Sequence, residues 1–408
     1  MVQYPHMWLY RLKRLYHFLV TGLRKGFPSQ IRYHNPQKKL KIICVTGTDG
    51  KTTSSSMIYH LLKTAGYKVG LVSTVAAYIG DQEIDTGFHT TAPEVDQLYS
   101  IMNQMVQAKI EYLVLEATSH GIYQYRTWGI KPLIGALTNL DREHLDYHKT
   151  PEEYWKAKAL MLQQSKTVVL NEEMSARNFV EKLLPPATKK IYFGPKINLG
   201  KAMEKAIRDN FAENYNRLNA KLAVTVARLV GAEDKALLKA LSDFSLPRGR
   251  MQLIDNSRGL TIIVDFAHTP QALEAALQNI RRNFSTKKGR LISAFGCAGL
   301  RDYTKRAPMG RIGAHYSDFA VFTAEDPRKE NIWSIFNQMK SDLGERHDRV
   351  ITIAHRADAL NYVFHHLARP GDTVVFFGKG HEQSMNYGHG EEAWDDVEEI
   401  KKLLAADD

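Results

Sequence analysis

Residues 40–53 read Leu40-Lys41-Ile42-Ile43-Cys44-Val45-Thr46-Gly47-Thr48-Asp49-Gly50-Lys51-Thr52-Thr53. The apolar, β-branched run Leu40 to Val45 predicts a buried strand. A glycine turn follows, and then a helical pattern carried by Met57, Leu61, Leu62 and Ala65. A strand, a glycine loop and a helix N-terminus make a phosphate cradle, because orphan backbone N–H groups and the positive helix end favour phosphate oxygens. Thr48, Asp49 and Gly50 form the loop, Lys51 reaches the terminal phosphates, and Thr52 or Thr53 holds Mg²⁺. Val45 stands where the full P-loop pattern has its first glycine. The plainer alternative is a tight glycine turn before an ordinary helix.

With 408 residues the chain has room for two or three domains. No apolar run approaches a membrane span, and no apolar segment before a small-residue cleavage site predicts a signal peptide. Cys44 and Cys297 are the only cysteines. They predict neither a disulfide framework nor a zinc site, and the expected compartment is the cytosol. The net charge of +11 is uneven. Arg11, Lys13, Arg14, Arg24, Lys25, Arg32, Lys38, Lys39 and Lys41 precede the first acid, Asp49, which leaves +2 for the remainder. A basic arm on a nearly neutral body gives no reason to expect nucleic-acid binding.

Residues 7–25 predict a helix with Trp8, Leu12, Leu15, Leu19 and Leu23 on one face, ended by Gly26 and Pro28. Its cationic edges suit a peripheral contact with an anionic membrane; the alternative is a helix packed on the protein's own body. From residue 40 strands (40–46, 69–73, 112–116, 133–138, 167–170) alternate with helices, the pattern of a mostly parallel α/β sheet. Residues 201–244 read as helical. Leu246-Pro247-Arg248-Gly249 marks a boundary. A second alternation, near 261–264, 290–295, 319–323, 350–353 and 373–377, predicts a Rossmann-like α/β domain. The expected division is a basic amphipathic arm (1–39), a central P-loop domain (40–246) and a C-terminal domain (247–408).

Several polar clusters follow apolar strands. Tyr112 to Glu116 ends in a carboxylate, at a position where P-loop folds coordinate Mg²⁺, with Thr118, Ser119 and His120 next. Residues 138–148 hold His144, His148, Asp141, Glu143 and Asp146, a density that favours a metal or phosphate site over a solvated loop. Thr150-Pro151-Glu152-Glu153 starts a helix with Tyr154, Lys158 and Met161 on one face. There a lysine ordinarily snorkels. Asp265 ends a strand, where it would meet a ribose hydroxyl or a cation. Residues 295–302, 323–328 and 377–382 form three more loops at one sheet edge, a ligand pocket.

Taken together, the segments T-G-T-D-G-K-T-T, H-T-T-A-P-E (89–94), E-A-T-S-H-G-I-Y-Q-Y-R (116–126), T-N-L-D-R-E-H-L-D-Y-H (138–148), A-K (157–158), N-R-L-N (216–219), G-R-M (249–251), D-F-A-H-T-P (265–270), G-L-R-D, D-P-R and G-K-G-H-E resemble the Mur ligase superfamily, ATP-dependent amide ligases of cell-wall assembly, and within it the diamino-acid-adding members. The resemblance implies that Lys51, Thr52, Glu116 and His144 serve ATP and Mg²⁺. It implies that Lys158 carries a CO₂-derived carbamate and joins Thr52, Glu116 and His144 as a metal ligand. Thr90, Thr91, Thr118, Ser119, Gln124 and Arg126 match positions that hold a muramoyl-peptide acceptor. Asn216, Asn219, Arg250 and Asp265 match nucleotide contacts, and Arg301, Asp326, Arg328, Gly378 and Glu382 the pocket of the incoming diamino acid.

The chemistry so implied is attack of an acceptor carboxylate on the γ-phosphate, then attack of an amine on the acyl phosphate. Two departures stand out. About forty residues precede the loop, where the family has a UDP-gripping domain, so the acceptor is either held without it or is not UDP-linked. The pocket motif is Glu325-Asp326-Pro327-Arg328 instead of D-N-P-R; Asp326 would favour an ammonium, so lysine or ornithine competes with meso-diaminopimelate. Glu143 also replaces a usual Asp. Two other readings are a ligase with a folate-type or other non-UDP carboxylate acceptor, and a non-catalytic nucleotide-binding subunit recruited to membranes.

Overall fold

The structure is a computed structural model that describes residues 7–84, 93–286 and 288–405. It divides into two compact units, Met1–Ser245 and Leu246–Asp408.

The first unit is built on an eight-stranded sheet: β1 (Lys41–Thr46), β2 (Val69–Val72), β3 (Ala77–Ile79), β4 (Gln82–Ile84), β5 (Tyr112–Glu116), β6 (Ile134–Leu137), β7 (Thr167–Asn171) and β8 (Lys189–Phe193). The order is β4-β3-β2-β5-β1-β6-β7-β8. All neighbours are parallel except the β2-β3-β4 meander at one edge. β1 is buried from Ile42 onward, which is why it reads as a continuous apolar run: helices cover both sheet faces. Its register pairs Val45 with Glu116 and Thr46 with Leu137. The glycine loop therefore leaves the sheet beside the carboxyl ends of β5 and β6. β3, β4 and β8 escape the sequence reading because three-residue strands and a half-exposed edge carry little apolar signal.

Residues 7–32 form one helical run, Met7–His17 and Phe27–Arg32 flanking a π-helical stretch Phe18–Gly26. This corrects the expected stop at Gly26 and Pro28. A Cβ at Gly22 or Gly26 would lie 2.5 or 2.7 Å from the Trp128 indole, so these glycines form a notch for Trp128. Pro28 lies at the start of the last α-helical segment, directly after the π-helical stretch.

The second unit has a six-stranded sheet: β9 (Gln252–Ile254), β10 (Thr261–Asp265), β11 (Leu291–Phe295), β12 (Phe319–Phe322), β13 (Val350–Thr352) and β14 (Thr373–Phe377). The order is β13-β12-β11-β14-β10-β9, parallel except for β9. A hairpin, β15 (Ser384–Asn386) and β16 (Glu391–Ala393), stands apart. The register sets Asp265 beside Phe377 and Phe295 beside Phe322, so the loops after β10, β11, β12 and β14 gather at one sheet edge.

Candidate active site

In the first unit the glycine loop is held from below. Asn139 Oδ1 accepts the Asp49 N–H at 2.9 Å and the Thr48 N–H at 3.1 Å. Gly47 and Gly50 have φ of +150° and +75°. A Cβ on Gly47 would meet Thr138 Oγ1 at 1.8 Å, and one on Gly50 would meet Asn219 Oδ1 at 2.4 Å, so both positions require glycine. The N–H groups of Lys51, Thr52 and Thr53 are among those a helix start leaves without intrahelical partners. Lys51 Nζ donates to Thr48 O at 2.6 Å.

Thr52 Oγ1 donates to Glu116 Oε1 at 3.1 Å, and Glu116 Oε2 accepts the Thr74 N–H at 3.0 Å. Lys158 is the surprise of the loop. The helix Pro151–Leu162, capped by Thr150 Oγ1 on the Glu153 N–H, places Tyr154 and Lys158 one turn apart on the face toward the loop. Lys158 is buried and donates to Gly47 O at 2.6 Å, its Nζ 4.6 Å from the Tyr154 ring centroid. It does not snorkel. Burial, then Lys51, lower its pKa well below that of an ordinary lysine, against the pull of Glu143, Asp49 and Glu116. Tyr154 Oη bonds Thr48 and Glu143, each at 3.1 Å.

The cluster 141–148 is not one metal site. Among the described residues no three His, Cys, Asp or Glu side chains converge to hold a metal ion. His144 lies at φ +54°, with Nε2 3.5 Å from Glu143. His148 faces elsewhere: its Nδ1 meets Tyr10 Oη at 2.8 Å and its Nε2 meets Ser119 Oγ at 3.0 Å. Burial, then His120 and His144, push its pKa down to about 2, so it is neutral. Tyr123 Oη donates to Tyr10 O, and the two rings stack at 4.6 Å. The N-terminal helix thus completes the wall behind Ser119. Of the other expected acceptor contacts, Thr118 Oγ1 caps its own helix by accepting the Gly121 N–H, Gln124 donates to Tyr147 Oη, and Arg126 pairs with Glu94 at 3.2 Å. Thr90 and Thr91 lie outside the described residues.

Asn216 and Asn219 sit on the helix Asn214–Val230, packed against the helix that follows the loop. They form a buried chain: Ser54 Oγ to Asn219 Oδ1, Asn219 Nδ2 to Asn216 Oδ1, and Asn216 Nδ2 to Glu213.

In the second unit Asp265 accepts the N–H groups of Met251 (2.8 Å) and Ala267 (2.9 Å), and the Arg250 guanidinium lies 4.5 Å over the Phe266 ring. Asp326, expected from the sequence to favour an ammonium, already has a cation beside it. Lys379, fully buried, meets Asp326 at 3.0 Å and Glu382 at 2.7 Å. Burial pulls Lys379 down, and Glu382 and Asp326 outweigh it and hold it charged. Arg328 donates to Gly299 O at 2.8 Å and approaches Asp326 at 3.9 Å. Asp326, Arg328 and Glu382 therefore share one ionic cluster, and Gly378, at φ +98°, passes Glu325 where a Cβ would collide with its carboxylate. Burial raises the Glu325 pKa. Arg301 is exposed and lines a cleft of about 550 Å³ with Tyr303, Arg306 and Glu330. Lys379, Tyr10 and Tyr154 were not singled out as site residues. Lys379 lay inside a motif already quoted, whereas nothing local marks Tyr10.

Residues 45–229 match the Mur ligase middle domain and residues 249–380 match the Mur ligase glutamate ligase domain. The chain belongs to the Mur ligase family. This Mur ligase is 36% identical to the UDP-N-acetylmuramoyl-L-alanyl-D-glutamate–2,6-diaminopimelate ligase of Clostridium botulinum, over 91% of this chain and 79% of that protein. It is 34% identical to the protein of the same name from Bacteroides fragilis, over 91% and 80%. A solved structure of a ligase of that name superposes with a TM-score of 0.58 at 27% identity, covering 93% of this chain and 82% of the other. The folylpolyglutamate synthase of Mycobacterium tuberculosis shares the fold, with a TM-score of 0.71 at 15% identity over 90% of this chain and 96% of that one. As a Mur ligase the chain is an ATP-dependent enzyme that forms an amide bond.

Proposed function

We propose that this Mur ligase adds meso-diaminopimelate to the carboxylate of a muramoyl-L-alanyl-D-glutamate-type acceptor in peptidoglycan precursor synthesis. The names of its relatives support the substrates. One observation carries the catalytic reading: a buried lysine, Lys158, has its amine bonded to the first carbonyl of a phosphate loop. Removing this cation from water favours the neutral amine, and the neutral amine is the form that adds CO₂. The new N–C bond gives a carbamate and releases one proton. The Thr52 hydroxyl and the Glu116 carboxylate, 3.1 Å apart, are hard donors that fit a divalent cation, and His144 and the carbamate oxygen of Lys158 would complete its ligands. Such a cation supplies charge neutralisation for the transferring phosphoryl group.

The acceptor carboxylate attacks the γ-phosphorus and ADP leaves, giving an acyl phosphate. Lys51 and the helix-start N–H groups balance charge on the phosphates. Ser119, oriented by His148, and Arg126 hold the acceptor. Asn216, Asn219, Arg250 and Asp265 serve the nucleotide. The diamino acid lies among Arg301, Asp326, Arg328, Gly378 and Glu382. Its amine, after losing a proton, attacks the acyl carbon, phosphate leaves, and the amide forms.

Lys158→Ala tests this. Turnover of ATP with acceptor and diamino acid is expected to vanish, and formate or another short carboxylate to restore part of it. Intact wild-type protein is expected to carry the extra mass of one CO₂ under bicarbonate. Full activity of Lys158→Ala overturns the reading.

A further inference from the structure

Eight large apolar side chains line the outer face of the N-terminal helical run: Trp8, Leu12, Leu15, Tyr16, Leu19, Leu23, Phe27 and Ile31, each 43–59% exposed. Only four other large apolar residues are as exposed among the described residues, so this is the main exposed apolar surface of the described residues. The stripe runs past the expected end at residue 25. From Leu19 on its members are spaced by four residues, and in a pure α-helix such a row drifts around the axis. The wider turns of the π-helical stretch Phe18–Gly26 offset that drift.

The stripe does not hold the helix in place. The opposite face does so: Tyr10 on His148, Phe18 against Tyr125 and Trp128, Gly22 and Gly26 under Trp128, and Ser29 donating to Asp96 at 2.7 Å. The helix is therefore anchored through its small and aromatic side while its leucines face outward. Exposed cations rim the stripe at Arg11, Lys13, Arg24, Lys25 and Arg32, and the first 48 residues contain no acid. Among the described residues no helix is long and apolar enough to cross a membrane.

We infer that this face docks on an anionic phospholipid surface, with the helix parallel to the membrane, the leucines and Trp8 in the acyl boundary and the basic rim on the headgroups. Charge complementarity selects this occupant. Two copies meeting through this face would bring their basic rims together, whereas anionic headgroups meet both the apolar stripe and its rim. A polybasic segment near such a surface gains about fivefold in partitioning per cation, an effect that salt screens. The inference is independent of the reaction assigned to the site, because none of the stripe residues belongs to it.

The test uses the full chain with vesicles of phosphatidylcholine alone or mixed with phosphatidylglycerol. Cosedimentation with the mixed vesicles only, weakening as salt rises, is expected. Leu15→Gln/Leu19→Gln/Leu23→Gln and, separately, Arg11→Gln/Arg24→Gln/Lys25→Gln are each expected to cut partitioning at least tenfold, with unchanged melting temperature and ATP turnover. Equal binding to neutral vesicles, or no binding to either, overturns the inference. So does a concentration-dependent dimer that the leucine variant abolishes while vesicles capture nothing.

Discussion

Lys379 is buried between two carboxylates, and this changes what Asp326 does. An isolated Asp at the mouth of an amino-acid pocket would call for an ammonium. One already matched by a buried lysine and approached by Arg328 leaves the Arg328 guanidinium available. That group spends one N–H on Gly299 O and has others to offer a carboxylate. Arg328→Ala is expected to lower kcat/KM for meso-diaminopimelate about ten- to a hundredfold and for lysine far less, the loss of roughly 1.5–3 kcal/mol for a charged hydrogen bond. Asp326→Asn is expected to leave the preference between the two amines in place. Steady-state kinetics with both amines checks the pair. A shift toward diaminopimelate in Asp326→Asn would mean that the aspartate, and not the arginine, sets specificity.

The N-terminal helix couples an element outside the sheet to the acceptor wall. Tyr10 Oη, His148 and Ser119 Oγ form one chain of hydrogen bonds, and the tautomer of neutral His148 decides whether Ser119 donates to it or accepts from it. Tyr10→Phe keeps the ring stack on Tyr123 and removes only the hydroxyl. The expected result is a several-fold rise in KM for the acceptor, unchanged ATP affinity, and a stability loss of about 1 kcal/mol. Equal KM values with the same stability loss would make Tyr10 a purely structural residue. The strand-and-loop elements that carry Lys51, Glu116 and Asp265 were legible because apolar runs and glycine turns are local signals. The end of the N-terminal helix was not. Gly26 and Pro28 read as a stop on local chemistry, and only Trp128, a hundred positions away, makes the glycine a packing residue.

Across the whole molecule, acid is expected to act through buried neutral histidines. His148 is held down to about 2 and His381 to about 3, the latter by burial and then by Arg250, His268 and Lys379. In the unfolded chain each titrates near an ordinary histidine pKa of about 6.5. Below that pH the unfolded chain binds protons that the native protein refuses. Stability is therefore full above about pH 6.5 and falls by about 1.4 kcal/mol per pH unit for each histidine on the way down to its native pKa. Urea unfolding between about pH 6.5 and 4.5 measures the slope, and His381→Gln is expected to flatten it; an unchanged slope refutes that role. The sequence alone determined the central parallel strands of both sheets, the boundary near residue 246, the glycine loop and the order of the motifs along the chain. Each rests on periodicity, turn chemistry or capping within about a dozen residues. The tertiary structure alone decided that Lys158 turns inward onto Gly47 O, that Tyr10 reaches His148, that Lys379 neutralises Asp326, and that the leucine stripe faces outward. Those outcomes depend on which strands lie side by side and which helix face finds a partner first. Residues more than fifty positions apart carry no local record of either.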